Sequence, residues 1–106
     1  MPMDIKRIVL KIRILARIKH GRIYSYALIK EFEKTGFAKM MGPALKNDVY
    51  NTLKVLEKSG YIKMTKRTEG GKLKNYYTIT KDGERTMHSV MRVMGNSAKE
   101  ADKLFK

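Results

Sequence analysis

Cysteine and tryptophan are absent from this chain, acidic residues are scarce, and no uncharged apolar run approaches the length needed to cross a bilayer. Each absence removes a class of explanation. Without cysteine there is no disulfide framework and no thiolate metal site, and a reducing interior is permitted. The opening "MPMDIKRIVLKIRIL" has the apolar content of a targeting segment, but Lys11 and Arg13 interrupt it and no small-residue cleavage site follows. A cytoplasmic chain with no membrane partner is expected. Catalytic constellations are missing too. His20 and His88 stand far apart, and neither paired carboxylates, a Ser-His-Asp order nor a metal-ligand cluster can be found. The expectation is no enzymatic activity, no metal and no cofactor.

Positive charge is what the chain has in excess. Lys and Arg number 24 against 10 acidic residues, a formal +14 on 106 residues. A single small domain with that balance repels itself and attracts polyanions, nucleic acid first and an anionic membrane surface second. Its hydrophobic content of 42% is enough for one core.

The apolar period changes along the chain in a definite order. Ile5, Ile8, Ile12 and Leu15 recur at helical spacing, with Val9 and Ala16 beside them, which predicts a first helix ended by Gly21. Lys6, Arg7, Lys11, Arg13 and Arg17 occupy much of its remaining surface. "RIYS" reads as a short extended piece, after which Ser25 is expected to cap a second helix that buries Leu28, Ile29 and Phe32. "GFAKMMGPAL", with two glycines and a proline, reads as a loop. In "NDVYNTLKVLEKSGYI" the stripe Val49, Leu53, Leu56 predicts a third helix, capped by Asn47 or Asp48 and stopped at Ser59-Gly60. "YIKMTKR" and "KLKNYYTIT" alternate on either side of "TEGG", a hairpin, and Thr80 then caps a last helical stretch. Helix, short strand, helix, turn, helix, hairpin is the order of a winged helix-turn-helix, mainly α with a small β-hairpin (α+β).

In that arrangement the third helix enters the major groove of DNA and the hairpin lies along the backbone. The candidate reading face is Asn47, Tyr50, Asn51, Lys54 and Lys58, flanked by Val55. The candidate wing contacts are Lys63, Lys66, Arg67, Lys72 and Lys74, with Glu69 the only acid among them. Exposed lysines also discourage strand pairing at sheet edges, and most polar helix faces are simply wet. A basic wing next in sequence to a basic helix face is what favours duplex DNA. RNA recognition by a sheet needs exposed stacking aromatics, whereas Tyr61, Tyr76 and Tyr77 fall at positions suited to a core. The alternative is a sequence-indifferent DNA-coating protein. Coating needs only Lys and Arg, while Asn47 and Asn51 can pair with adenine at two points.

After Thr80, Met87, Met91, Met94, Ala98, Ala101 and Phe105 keep heptad spacing. Together with Ile5, Ile8 and Ile12 they make a candidate homodimer interface, dividing the chain into a DNA-binding domain at 1–80 and a dimerisation segment at 81–106. From periodicity alone the stripe serves equally well to fold back on the chain's own core. Gly95-Asn96-Ser97 interrupts it, and Ser97 with Glu100 has capping-box spacing. Because the phase holds across Gly95, one mostly continuous helix is expected.

These residues resemble the PadR family of winged-helix transcriptional regulators. The family's Val-Tyr-x-x-Leu-x-x-Leu-Glu-x-x-Gly run falls on Val49, Tyr50, Leu53, Leu56, Glu57 and Gly60. Its Tyr-Tyr-x-Leu-Thr-x-x-Gly run falls on Tyr76, Tyr77, Ile79, Thr80 and Gly83, and its Gly-Tyr-x-Leu-Ile element on Tyr26, Leu28 and Ile29. Ser25, Asp48 and Asn51 depart from the family's usual glycine, serine or threonine, and proline. The resemblance implies a homodimeric repressor with Tyr50 facing DNA. Some members hold planar aromatic compounds at the dimer interface, stacked on aromatic side chains. A methionine and alanine seam without tryptophan gives a small-molecule effector no support here.

Overall fold

The computed structural model describes residues 3–94, with side chains from 6 to 93. Ala98, Ala101, Phe105 and the Gly95-Asn96-Ser97 interruption lie outside the described residues, and the side chains of Ile5 and Met94 outside the described side chains. Helix α1 (Met3–His20) lays Ile8, Leu10, Ile14, Leu15 and Ile18 into the core. Strand β1 (Ile23–Tyr24) follows, then α2 (Ser25–Glu33), which buries Leu28, Ile29 and Phe32 as expected. Ser25 does not cap α2. Tyr24 takes the cap position in extended backbone (φ −92°, ψ 155°), and no side chain bonds the first turn. Pairing of Tyr24 with Tyr76 in the sheet sets that boundary, ahead of any preference for a capping hydroxyl. Near the C-terminal end of α1 the Arg17 guanidinium donates to both Glu31 oxygens, at 2.7 and 3.2 Å, a surface link between α1 and α2.

The segment read as a loop contains a further short helix, α3 (Phe37–Met41), and a 3-10 turn over Gly42–Ala44. Phe37 and Met41 are buried, and Phe37 stands edge-on to Phe32 at 5.5 Å. The Thr35 hydroxyl accepts from the Phe37 amide at 3.2 Å. Burial of two large side chains overrides the glycine and proline signals around them. Helix α4 (Leu45–Lys58) grows directly from that turn, so it begins ahead of Asn47, and neither Asn47 nor Asp48 caps it. The earlier start buries Leu45 beside the expected Val49, Leu53 and Leu56. The helix stops at Ser59, as its sequence predicts.

Strands β2 (Ile62–Glu69) and β3 (Lys72–Ile79) form the hairpin, with Glu69 opposite Lys72 and only Gly70 and Gly71 between them. Both glycines are left-handed (φ 58° and 76°), the two-residue turn whose twist matches that of the strands. The sheet order is β1-β3-β2, and Ile23, Ile62 and Tyr77 are buried in the core beneath it. Thr80 caps α5 (Lys81–Met94) as expected, accepting from the Gly83 amide at 3.0 Å. The same hydroxyl donates to the Gly60 carbonyl at 2.7 Å, so one residue joins the end of α4 to the start of α5.

Helix α5 packs along α1. Met87 and Val90 belong to the common core, and the Lys19 ammonium donates to Nε2 of His88 at 3.1 Å. This corrects part of the expected dimer interface: Ile8 and Met87 are 0% and 3% exposed within the single chain. The stripes of α1 and α5 lie within each other's reach, so for these two residues folding back on the chain's own core is what occurs. Among the described residues no helix is long and apolar enough to cross a membrane.

Gly83 sits where α5 passes the start of β2. A Cβ there would overlap the Tyr61 carbonyl oxygen and lie 2.8 Å from Cγ1 of Ile79, whereas one at Gly21 would meet nothing within 4 Å. Gly83→Ala is expected to destabilise the fold by about 1–3 kcal/mol, and Gly21→Ala by about 0.5 kcal/mol at most. Denaturant midpoints for both variants check this; equal midpoints would mean that α5 yields freely at that contact.

Candidate nucleic-acid interface

With Leu45, Val49, Leu53 and Leu56 turned inward, helical geometry leaves Asn47, Asn51, Lys54 and Lys58 on the outer side of α4, and all four are exposed. Tyr50 is half-buried and packs against the core, and Val55 is 50% exposed. No carboxylate lies at the centre of this face. Asp48 sits in the first turn, where a negative charge opposes the helix dipole favourably. The face therefore offers amide donors and acceptors, a phenol edge and two ammonium groups side by side.

On the hairpin, Lys63, Lys66, Arg67 and Lys72 are exposed. Lys74 is different. Its ammonium lies 4.5 Å from the Tyr24 ring centre and 3.9 Å from the Glu69 carboxylate. Tyr24 meets Tyr76 edge-on at 5.5 Å, Arg22 lies 4.9 Å over Tyr76, and the Tyr76 hydroxyl donates to Glu69 at 2.6 Å. Arg22, Tyr76, Tyr24 and Lys74 thus form a layer on the outer face of the sheet, closed by Glu69. Arg67 stands directly across from Lys74 in the register. Like charges so placed repel, and Glu69 offsets that repulsion.

Tyr77 is buried as its position suggested, but Tyr76 belongs to this outer layer and not to the core. Spacing along the chain could not find Arg22 and Tyr24 as members, because the pairing of Tyr24 with Tyr76 brings together residues distant in sequence. The hydrogen bond to Glu69 holds the Tyr76 hydroxyl above the usual tyrosine pKa, with burial and the Glu69 charge adding to it. Burial raises that of Tyr77, with Glu57 and Tyr50 contributing. Between the start of α2 and β3 a cleft of about 560 Å³ is lined by Tyr24, Tyr26, Lys72, Leu73 and Lys74. Of the candidate interface residues left outside the core, Ile12 is half-buried and Met91 is 51% exposed. Among the described residues no group of His, Asp and Glu could hold a metal ion.

The sequence signature of the PadR-like family of transcriptional regulators matches residues 14–89, well over half of the chain. The chain belongs to this family. Solved structures share its winged-helix fold. Bacillus subtilis PadR, determined in complex with operator DNA, is 27% identical with a TM-score of 0.66, over 78% of this chain and 46% of that one. The chain thus spans about half the length of Bacillus subtilis PadR. A PadR family regulator from Eggerthella lenta is 24% identical (TM-score 0.72), covering 98% of this chain and 88% of its own. A PadR-like regulator from Bacillus cereus is 24% identical (TM-score 0.68), covering 92% of each. No curated protein matches the chain. Membership places this PadR-like chain among transcriptional regulators, and nothing in that family assignment points to catalysis.

The raised Tyr76 pKa has a defined sign. Its bond to Glu69 contributes below the ordinary tyrosine range and is lost as pH rises through the raised value. Glu69→Ala is expected to bring one phenol back toward the usual value in a phenolate absorbance titration, with Tyr76→Phe identifying it. An unchanged titration would break the link between the two side chains.

Proposed function

We propose that this chain binds double-stranded DNA sequence-specifically as a homodimeric transcriptional regulator, a repressor, with α4 as its reading helix and the β2–β3 hairpin as its wing. What carries this reading is the exposed, amide-bearing face of α4 beside an exposed cationic hairpin, on a fold shared with a relative solved on operator DNA. Asn47 and Asn51 can each bond adenine at two points, and Tyr50 offers its hydroxyl to a base edge or a phosphate. Lys54 and Lys58 on the helix, with Lys63, Lys66, Arg67 and Lys72 on the wing, neutralise phosphates and set the register without carrying sequence information. Lys74 contributes mainly by holding the sheet's outer layer together.

A homodimer sets two reading helices on successive major grooves and implies a near-palindromic site. Residues 81–106 are the segment that joins the protomers, through what α5 and α1 leave outside their shared core. The net charge of +14 favours a second reading, sequence-indifferent coating of DNA. Asn47 and Asn51 separate the two, since a coating surface has no use for paired amide contacts.

Asn51→Ala is expected to lose about 1–3 kcal/mol of discrimination between a selected duplex and a mixed one. Lys72→Ala should weaken both duplexes by the same factor. Binding isotherms after selection from a random duplex library test this. Uniform affinity in the parent would establish coating instead. Assembly has its own probe. Met91→Lys, at a position outside the core, is expected to lower self-association by at least tenfold in sedimentation while each chain still unfolds cooperatively, because an ammonium in an apolar seam costs more than about 1.4 kcal/mol. An unaltered dimer would place the interface away from α5.

A further inference from the structure

Beside α4 a groove of about 410 Å³ opens toward the N-terminal half of α1. Lys6, Arg7 and Lys11 line it from α1, and Asn51 and Val55 line it from α4. Leu10 and Met41, both buried, form an apolar floor. Asp48 is the one carboxylate among the lining residues. Three cations against one carboxylate leave the groove with an excess of two positive charges. Asn51 belongs both to the groove and to the outer face of α4, so the two surfaces are continuous.

We infer, building on the DNA-binding reading above, that this groove is a second backbone-contact site in which Lys6 and Arg7 hold phosphates of the strand running alongside α4. A helix with its side chains is about 10–12 Å across and the major groove about 12 Å wide. A helix seated there fills the groove, and side chains along its flanks meet the bounding backbones. A DNA strand presents anionic phosphates alternating with sugars whose carbon faces are apolar. The groove matches both, with ammonium and guanidinium groups at its rim and Val55, half exposed, along its wall. Lys6 meets a phosphate as a point charge, and Arg7 as a fork that fixes geometry as well. Contacts of this kind position the protein without reading sequence. They hold the register of Asn51, which shares the groove with them, from the flank of α4, while the wing acts from beyond its C-terminal end. Sequence periodicity assigns this end of α1 to packing and assembly; the groove gives its cations a separate task.

The test compares the full chain with Lys6→Gln/Arg7→Gln and with the charge-preserving Lys6→Arg/Arg7→Lys. Each is titrated with a mixed-sequence duplex long enough for two half-sites and with a duplex selected by the parent, over a salt series. Mass is followed by sedimentation. The slope of log affinity against log salt is expected to become shallower in the Gln variant by about 0.9 per lost phosphate contact, about 1.8 per protomer. Affinity should fall by one factor for both duplexes, the mass should stay as in the parent, and the charge-preserving variant should keep the parent's slope. A parental slope in the Gln variant overturns the groove as a contact site and leaves the DNA-binding reading intact. A parent that binds no duplex at any salt overturns both. A lighter assembly or a lost unfolding transition in both variants alike assigns these residues to assembly or folding, and overturns the inference as well.

Discussion

One side of α4 has to be dry. Leu45, Val49, Leu53 and Leu56 leave water together, each with about 1.5–3 kcal/mol at stake. Turning the helix by one residue, about 100°, would expose part of that stripe and bury charged or amide groups in its place. The rotation of α4 is thereby fixed, and with it the identity of the outer face. Asn47, Asn51, Lys54 and Lys58 are outside because four aliphatic residues are inside. α1 supplies much of the opposing apolar surface, and Thr80 ties the end of α4 to the start of α5. The hairpin leaves from the end of the same helix, so its position follows as well.

A chain of net charge +14 cannot pair its cations with carboxylates. Ion pairs such as Arg17–Glu31 and Lys30–Glu33 use part of the small acidic complement, and at the surface such pairs contribute little individually. Aromatic faces take over part of the role. Arg13 lies 4.8 Å over Phe37, Arg22 over Tyr76, Lys30 over Tyr26 and Lys74 over Tyr24. An aromatic face attracts a cation without cancelling its charge, so these contacts order the surface and leave the overall field intact. Lys54 and Lys58 on α4 and Lys63, Lys66, Arg67 and Lys72 on the hairpin stay exposed within it.

The C-terminal helix belongs to the folded body that a linear division of the chain would separate it from. Met87 and Val90 complete the core around α1, while Met91, next on the helix, points outward. Residues 81–94 are consequently part of the folded body. Whatever assembly α5 mediates draws on the face that intramolecular packing leaves free, where Met91 is the large apolar side chain exposed among the described residues.

Periodicity alone determined the Val49, Leu53, Leu56 stripe of α4, the buried trio of α2, the hairpin with its glycine turn and the threonine cap of α5. In each case the deciding interaction lies within a few residues along the chain. The PadR-like motifs were legible for the same reason, being short runs at fixed spacing. Only the tertiary structure decided the rest. The helix at Phe37–Met41 forms because Phe32 and the core accept Phe37 and Met41, against the local glycine and proline. Tyr24 displaces Ser25 as the cap of α2 because a strand from the far end of the domain pairs with it. Lys74, equivalent to its neighbours in sequence, is drawn to Tyr24 and Glu69, while Lys63, Lys66, Arg67 and Lys72 remain exposed. Ile8 and Met87 look like interface residues until α1 and α5 meet and cover both. A heptad stripe specifies that a face must be buried, but its partner is chosen by which other apolar stripe the fold brings within reach.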